Sequence, residues 1–380
     1  MSEAGWQDFE RSLDTLRNQS RFRQLQPFRT EGLELVDRAG NRFLNFGGND
    51  YLGLAAGRSS VPPPSAAAVA SALVCGWTDQ HEALARQIAR WEGTESAVVF
   101  PSGYAACSGT IAALGREGDL ILSDALNHAS LIDGCRLSRA ERVVFPHRDV
   151  ESVAEVLKSR RGQFARVWIV TESVFSMDGH LAPLVELLDV AERYGATLVV
   201  DEAHASGVFG GTGSGLCEEL GLKERVGIRI GTLSKAVAAR GGFVAAPRIV
   251  ADFLVNHCRS LIFSTSLSQH EVRVALESLE RICGDSEARM RVRSMARLVR
   301  ERLGIAAQGL EVDVPIVPFL CGLDARALEA AGALREAGLF VPAIRPPTVP
   351  EGQARLRASL SAGHEEGMIL RLVEALLSLR

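Results

Sequence analysis

Short apolar runs recur through the middle of the chain, and stretches with helical spacing separate them. The runs lie at 97–100, 120–123, 142–145, 167–171, 197–201, 228–231 and 243–245. Strands separated by helices need crossover connections, which join parallel strands and cover the sheet with helices on both faces. Between about Asp50 and Pro247 the pattern therefore predicts an α/β fold with a mostly parallel seven-stranded sheet.

The two ends of the chain have different patterns. The N-terminal region predicts a polar amphipathic helix followed by a hairpin, with strands at 33–36 and 42–46 and a turn at Ala39-Gly40-Asn41. From about Ser268, helical stretches alternate with apolar runs at 314–320 and 354–360. We therefore predict an N-terminal arm (1–48), a large domain (49–260) and a smaller C-terminal α+β domain (261–380).

Composition excludes several classes of protein. A net charge of −4 and a pI near 6.1 leave no basic surface for a run of phosphates, so we expect no nucleic-acid partner. The seven cysteines form no CxxC pair and are odd in number, which favours reduced thiols. The sequence shows no signal-peptide core and no apolar run long enough for a membrane. We expect a cytoplasmic protein with no membrane partner and no metal site.

An aspartate and a lysine follow two of the predicted strands. Asp201 ends the strand at 197–201, and Lys235 follows the strand at 228–231. In open α/β sheets, ligands bind beyond the carboxyl ends of the strands, where burial lowers the pKa of a lysine and makes its neutral amine available as a nucleophile. An isolated aspartate at a strand end is more often a turn cap. The lysine after the neighbouring strand favours a cofactor site.

Six motifs in the order of a known family extend this interpretation over nearly the whole chain. They run from Asn-Asp-Tyr-Leu-Gly-Leu at 49–54 to Arg-Leu-Arg at 355–357, and they include Asp-Glu-Ala-His at 201–204 and Thr-Leu-Ser-Lys at 232–235. The chain resembles the fold-type I pyridoxal-phosphate enzymes, more narrowly the α-oxoamine synthases, and within them the 8-amino-7-oxononanoate synthases. This resemblance implies the fold-type I transferase architecture and pyridoxal 5′-phosphate as cofactor.

The same resemblance assigns roles around the cofactor ring. It implies that Lys235 bonds covalently to the cofactor and that Asp201 pairs with the ring nitrogen and keeps it protonated. His204 is expected to donate to the phenolate oxygen. His128, within Asn-His-Ala-Ser at 127–130, is expected to stack on the ring, although a solitary histidine is more often a surface residue. Lys235, His128 and Asp201 are the predicted catalytic residues.

Other positions match the family's phosphate site. Gly103 and Tyr104 open a predicted helix, whose N-terminus suits an anion, although Ser-Gly before a helix is usually only a cap. Thr232 and Ser234 add hydroxyl groups. Thr265, in Phe-Ser-Thr-Ser at 263–266, is expected to reach the phosphate of a second subunit, which implies a homodimer with shared active sites.

The segment at 171–179 closes a central strand in the family pattern. Ser176 is expected to form a hydrogen bond near the cofactor. Glu172 is open to two interpretations: it could act at the cofactor site, or it could equally be a structural salt-bridge partner.

Polar residues near both ends point to the substrates. Arg357 matches the family residue that binds the amino-acid carboxylate, and Asn49 is predicted to bind substrate with it. Arg345 and Thr348 belong to Ile-Arg-Pro-Pro-Thr-Val-Pro at 344–350, the form found in 8-amino-7-oxononanoate synthases. A cation there suits an acyl chain that ends in a carboxylate, such as pimeloyl. Arg23 resembles a second arginine on that path, with Arg21 and Arg29 close by.

The implied reaction is the decarboxylative condensation of L-alanine with a pimeloyl thioester, on coenzyme A or an acyl carrier protein, giving 8-amino-7-oxononanoate for biotin biosynthesis. One alternative is another α-oxoamine synthase, such as glycine C-acetyltransferase (2-amino-3-ketobutyrate ligase). The other is a catalytically silent scaffold that binds acyl carrier protein, which the intact set of Lys235, Asp201, His204 and His128 disfavours.

Three departures from the family pattern predict local differences. The segment at 66–75 is rich in alanine where relatives have glycines, Ala236–Arg240 replaces a glycine and small polar residues, and Cys107 stands where asparagine is common. Because alanine does not adopt positive φ cheaply, we expect an altered loop conformation at the first of these places.

Overall fold

The computed structural model describes residues 7–22, 28–54 and 70–380. The chain forms two compact units. The large unit comprises Arg58–Ser176 and His180–Arg291, and the small unit comprises Met1–Gly57, Met177–Gly179 and Val292–Arg380.

The strands and helices of the described residues have the following bounds. The strands are β1 (Arg29–Glu31), β2 (Glu34–Val36), β3 (Arg42–Asn45), β4 (Ser96–Phe100), β5 (Leu120–Asp124), β6 (Glu141–Phe145), β7 (Val167–Glu172), β8 (Thr197–Asp201), β9 (Ile228–Thr232), β10 (Gly242–Ala246), β11 (Ile316–Gly322), β12 (Leu339–Phe340), β13 (Ala343–Ile344) and β14 (Ala354–Ser359). The α-helices are α1 (Gln7–Asn18), α2 (Asp79–Glu92), α3 (Gly103–Leu114), α4 (Ala129–Leu137), α5 (Val150–Arg160), α6 (Leu184–Tyr194), α7 (Leu216–Glu219), α8 (Arg248–His257), α9 (Arg259–Ile262), α10 (Gln269–Gly284), α11 (Ser286–Leu303), α12 (Asp324–Glu336) and α13 (Glu366–Leu377). A π-helical turn at Ala72–Gly76 and 3₁₀ turns at Arg161–Gln163 and Gly309–Asp313 complete the set.

The large unit contains the predicted sheet. Its seven strands have the order β4-β10-β9-β8-β7-β5-β6, with β10 antiparallel to both neighbours and the other pairs parallel. Each strand differs from its predicted run by at most one residue at either end. Strands β5 and β7 are buried along their whole length, which is why they appear as continuous apolar runs in the sequence. The prediction of a mostly parallel α/β sheet is confirmed.

The compact units differ from the predicted domain boundaries at both ends. Residues 261–291 belong to the large unit, because α10 packs against α2. Residues 49–54 belong to the small unit together with β3, which pairs with the distant β12. The predicted arm (1–48) and the two predicted domains stay a prediction.

The small unit contains two further sheets, of order β1-β2-β3-β12 and β11-β14-β13. The predicted hairpin is present as β2 and β3, and its turn is fixed by the Asp37 carboxylate, which accepts from the backbone N–H groups of Ala39 and Asn41, each at 2.9 Å. Strands β1, β12 and β13 have only two or three residues and were not predicted. In the ranges that the structure describes, no helix combines the length and apolar character needed to cross a membrane.

Arg229 and Glu92 form an ion pair inside the large unit, and both side chains are 1% exposed. Arg229 Nε donates to Glu92 Oε2 at 2.9 Å, and its Nη1 donates to the carbonyl oxygen of Lys223 at 2.8 Å. Burial raises the pKa of Glu92 to about 7, although Arg229 opposes the shift. A buried pair of this kind is destabilising when only one partner is removed, because the other remains desolvated.

We therefore expect Arg229→Met to lower the free energy of unfolding by about 3–5 kcal/mol. Urea unfolding followed by circular dichroism measures the change. Arg225→Met is the matched control, since Arg225 forms solvent-exposed ion pairs with Asp189 and Glu192 and its loss should change stability little. Equal destabilisation by the two substitutions would contradict the prediction.

Candidate active site

Asp201 ends β8 at the carboxyl edge of the central sheet and is only 5% exposed. Both of its carboxylate oxygens are held in place. Oδ1 accepts from the backbone N–H of Ala203 at 2.9 Å, and Oδ2 accepts from the Cys107 thiol at 3.2 Å. Asp201 is therefore a fixed anion below the surface, as a partner of a protonated ring nitrogen must be.

Lys235 follows β9, the strand that pairs with β8 in the sheet. Its charge and that of Asp201 act electrostatically on the same three side chains. The charges of Asp201 and Lys235 both influence the pKa values of His128, Glu172 and Cys107. The acid and the amine that were predicted from separate strand ends therefore converge on one region of the large unit.

His128 caps the N-terminus of α4. Its Nδ1 accepts from the backbone N–H of Ser130 at 3.2 Å, which places the ring proton on Nε2 in the neutral form. Burial lowers the pKa of His128, Asp201 raises it and Lys235 lowers it again, with a net decrease. A neutral imidazole is thus available at neutral pH to lie against an aromatic ring.

The first turn of α3 and the loop after β9 form an anion cradle. The Thr232 and Ser234 hydroxyl oxygens lie 2.8 Å apart. A Cβ added to Gly103 would approach Thr232 Oγ1 to 2.8 Å, so only glycine lets the backbone come this close. The free amides at the start of α3 and these two hydroxyls are the donors that a phosphate group requires. Tyr104 joins them through its backbone, since its side chain is exposed and donates to Asp133.

The remaining predicted residues of the large unit differ in exposure. His204 and Ser176 are buried, at 6% and 8% exposure. Thr265 is exposed and forms an isolated β-bridge with Ser71. Its predicted contact with a second subunit stays a prediction.

Arg357 lies in the small unit, on β14, and is 4% exposed. Its Nη1 donates to Asn49 Oδ1 at 3.1 Å and to Ser359 Oγ at 2.7 Å. The buried hydroxyl of Tyr51 also donates to Asn49 Oδ1, at 3.1 Å. The structure therefore brings the two predicted carboxylate-binding residues, Arg357 and Asn49, into direct contact.

Arg345 is also buried in the small unit, at 8% exposure, and donates to the backbone carbonyl of Ser20. Thr348 is exposed, and its backbone N–H donates to the Arg345 carbonyl at 3.1 Å, which closes the turn. Arg23 lies outside the described residues. Its neighbour Arg21 is engaged in ion pairs with Asp324 and Glu351.

Two departures from the family pattern have visible consequences. Ala238, in the loop after Lys235, has φ +52°, a left-handed conformation that favours glycine. At the described end of the alanine-rich segment, Ala72–Gly76 forms the π-helical turn. A Cβ on Gly76 would lie 2.4 Å from Ser266 Oγ, so this glycine is needed for close packing and not for positive φ. Residues 66–69 lie outside the described part.

Two further residues of the site, Cys107 and Asn127, were not predicted from the sequence. Cys107 was noted only as a departure, yet its thiol is bonded to Asp201. Asn127 donates to the Val170 carbonyl at 2.8 Å and accepts from the Glu172 N–H at 3.2 Å, which fixes the segment before His128. The signal for Asn127 was its place beside His128 in a matched motif.

The side chains present at the site fit pyridoxal phosphate. A buried carboxylate suits the pyridinium nitrogen, the glycine-lined hydroxyl cradle suits the phosphate, and a lysine lies within electrostatic reach of the same groups. Fold and site together define a pyridoxal-phosphate enzyme.

Comparison with known proteins agrees with this class. The sequence matches the family "Aminotransferase class I and II" over residues 41–376, and the chain belongs to that class of pyridoxal-phosphate-dependent enzymes. It is 44% identical over 368 residues to the 8-amino-7-oxononanoate synthase of Anaeromyxobacter dehalogenans (strain 2CP-C), covering 93% of this chain and 91% of the relative. Identity to the enzyme of the same name from Lysinibacillus sphaericus is 39%, over 94% and 93% of the two chains. The chain therefore belongs to the 8-amino-7-oxononanoate synthases, acyltransferases of biotin biosynthesis.

Two solved enzyme structures have folds similar to that of this chain. Serine palmitoyltransferase from S. paucimobilis, with a bound PLP–myriocin aldimine, has a TM-score of 0.88 and 29% identity, covering 99% of this chain and 97% of that one. The 8-amino-7-oxononanoate synthase of Francisella tularensis has a TM-score of 0.73 and 25% identity, covering 88% and 97%. The fold is thus shared with both a serine palmitoyltransferase and an 8-amino-7-oxononanoate synthase, and the higher sequence identity to the curated synthases decides the family.

Proposed function

We propose that this enzyme condenses L-alanine with a pimeloyl thioester, carried on coenzyme A or an acyl carrier protein, and releases the carrier's free thiol and carbon dioxide to give 8-amino-7-oxononanoate. The observation that carries the proposal is a buried arginine, Arg345, within the Ile-Arg-Pro-Pro-Thr-Val-Pro segment. A buried guanidinium is costly to desolvate and suits a ligand that supplies a carboxylate, as the far end of a pimeloyl chain does.

The chain's own residues supply the binding and proton-transfer steps. Arg357, oriented by Asn49 and Ser359, binds the carboxylate of alanine. Lys235 removes the α-proton of alanine and later returns a proton to the product. When bound, pyridoxal phosphate accepts the electron pair that this deprotonation leaves on the α-carbon. Asp201 would pair with the ring nitrogen and keep it protonated, and His128, whose pKa is lowered by burial, would lie against the ring without adding a second positive charge.

We also infer that the enzyme acts as a homodimer with shared active sites. Thr265 is exposed, and the neighbouring Phe263 is 70% exposed, an unusual position for a large apolar side chain. A second copy of the chain would cover this segment and use the Thr265 hydroxyl.

With L-alanine, we expect the wild-type enzyme to release carbon dioxide with pimeloyl thioester and to be much less active with acetyl thioester. Arg345→Gln should lower kcat/KM for the pimeloyl thioester by about 10- to 100-fold, because a hydrogen bond to a charged group is lost, and should leave the acetyl thioester rate nearly unchanged. Carbon dioxide release with each thioester measures both effects.

Arg355→Gln is the matched control. Arg355 is a buried arginine of the same unit, and its guanidinium is paired with Asp178. Its replacement should therefore lower stability and change the rates with the pimeloyl and acetyl thioesters by the same factor. Preference for acetyl thioester with glycine in the wild type would instead identify a glycine C-acetyltransferase. Absence of any carbon dioxide release with bound cofactor would favour the silent scaffold.

A further inference from the structure

Glu172 is a buried carboxyl group at the centre of the cofactor site. It ends β7 directly opposite Asp201 in the parallel register and is 2% exposed. The salt-bridge interpretation left open by the sequence does not hold, since Glu172 forms no ion pair within the described residues. The backbone N–H groups of His128 and Ser176 donate to its carboxyl group.

The two carboxyl oxygens of Glu172 have different surroundings. Oε1 has no hydrogen-bond partner in the described part of the chain, so both backbone donors approach Oε2. Burial raises the pKa of Glu172 well above its ordinary value, the negative charge of Asp201 raises it further, and Lys235 and the two N–H groups only partly oppose this. Burial and the charge of Asp201 therefore both favour the protonated form of this carboxyl group. Because Oε2 already faces two donors, its proton belongs on Oε1.

We propose that Glu172 is an uncharged carboxylic acid in the working enzyme and that its Oε1–H donates a hydrogen bond to an acceptor atom of the bound cofactor. A buried hydroxyl without an acceptor is costly, and a ligand beside Asp201 and Lys235 would supply one. Through Oε2, Glu172 also holds the segments of His128 and Ser176 in place. The proposal rests on cofactor binding and is independent of the acyl substrate.

The affinity of Glu172 variants for the cofactor distinguishes a neutral Glu172 that donates a hydrogen bond from an ionised Glu172 that cannot. In a Lys235→Ala background, where no covalent bond masks weaker contacts, we expect Glu172→Gln to bind pyridoxal phosphate within about threefold of its parent, since the amide keeps both a donor and an acceptor. Glu172→Leu keeps neither and should bind about 10- to 100-fold more weakly. Titration followed by absorbance gives the dissociation constants.

Glu202→Gln is the matched control for loss of a buried glutamate. Its carboxylate accepts from the backbone N–H groups of Leu216 and Cys217 at the start of α7, so cofactor affinity should not change. If Glu172→Gln weakened binding as much as Glu172→Leu, Glu172 would act as an anion and the proposal would be overturned.

Infrared difference spectroscopy tests the proton directly and does not depend on activity. At neutral pH we expect a carboxylic-acid carbonyl band that is present in the wild type, absent in Glu172→Gln and shifted when cofactor binds. Glu92, whose pKa is also raised, contributes equally to both proteins and cancels in the difference. A missing band, or a band unmoved by cofactor, would refute the proposal. An enzyme that shows the shift but does not condense alanine with pimeloyl thioester would refute only the proposed function.

Discussion

Replacing Lys235 by alanine is expected to lower product formation by more than about 10⁴-fold while leaving the fold intact. Two roles are lost together, the covalent attachment of the cofactor and the proton transfer at the α-carbon of alanine, and a positioned acid–base group alone contributes about 10²- to 10⁴-fold. Lys235 is partly exposed and lies in the loop after β9, outside the helices and strands, so stability should change little. Product formation measured beside the visible spectrum, with and without L-alanine, checks the expectation.

The chain itself supplies the controls for this experiment, because it has only three lysines, at 158, 223 and 235. Lys158 is exposed, and Lys223 donates to the Trp91 carbonyl at 2.6 Å. Borohydride reduction followed by peptide mass analysis should therefore find the cofactor on the peptide of Lys235 alone, and Lys158→Ala and Lys223→Ala should remain active. A label on either of those lysines, or an active Lys235→Ala variant, would show that the assignment is wrong.

The seven strands of the large unit could be predicted from the sequence because a parallel strand buried on both faces leaves a continuous apolar run. The same regularity placed Asp201 and Lys235, since ligands of such sheets bind at the carboxyl ends of the strands. Residues attached to strand ends, or to the first turn of the following helix as Gly103 is, were therefore found without coordinates.

Contacts between distant segments could not be predicted in this way. The Cys107 thiol meets Asp201 across 94 positions of sequence, and β12 joins β3 although neither strand's pattern indicates the other. The proposed protonation of Glu172 could not be predicted from the sequence either, because it depends on burial beside Asp201 and on a carboxyl oxygen without a hydrogen-bond partner in the described residues. Local patterns encode periodicity and turns, whereas these features depend on which segments pack together.

Turnover is expected to depend on the negative charge of Asp201. Asp201→Asn should lower turnover by about 10³-fold, because a neutral amide cannot hold the proton on the ring nitrogen and charge stabilisation in a buried site is usually the largest catalytic contribution. Both oxygens of Asp201 accept hydrogen bonds, from Ala203 and Cys107, so the amide must also turn its NH₂ group toward one of these donors. The expected loss therefore combines a charge with one hydrogen bond.

Cys107→Ala separates these two contributions, since it removes the thiol donor and leaves the carboxylate. We expect it to lower turnover by less than about tenfold, in line with the loss of one weak hydrogen bond. Steady-state turnover with saturating L-alanine, together with a pH titration of the visible absorption of bound cofactor, measures both variants. In Asp201→Asn the ring nitrogen should lose its proton at a lower pH than in the wild type. In Cys107→Ala it should lose its proton at nearly the same pH as in the wild type. Turnover of Asp201→Asn within about tenfold of the wild type would mean that another group holds that proton, and the chemistry assigned to the end of β8 would have to be withdrawn.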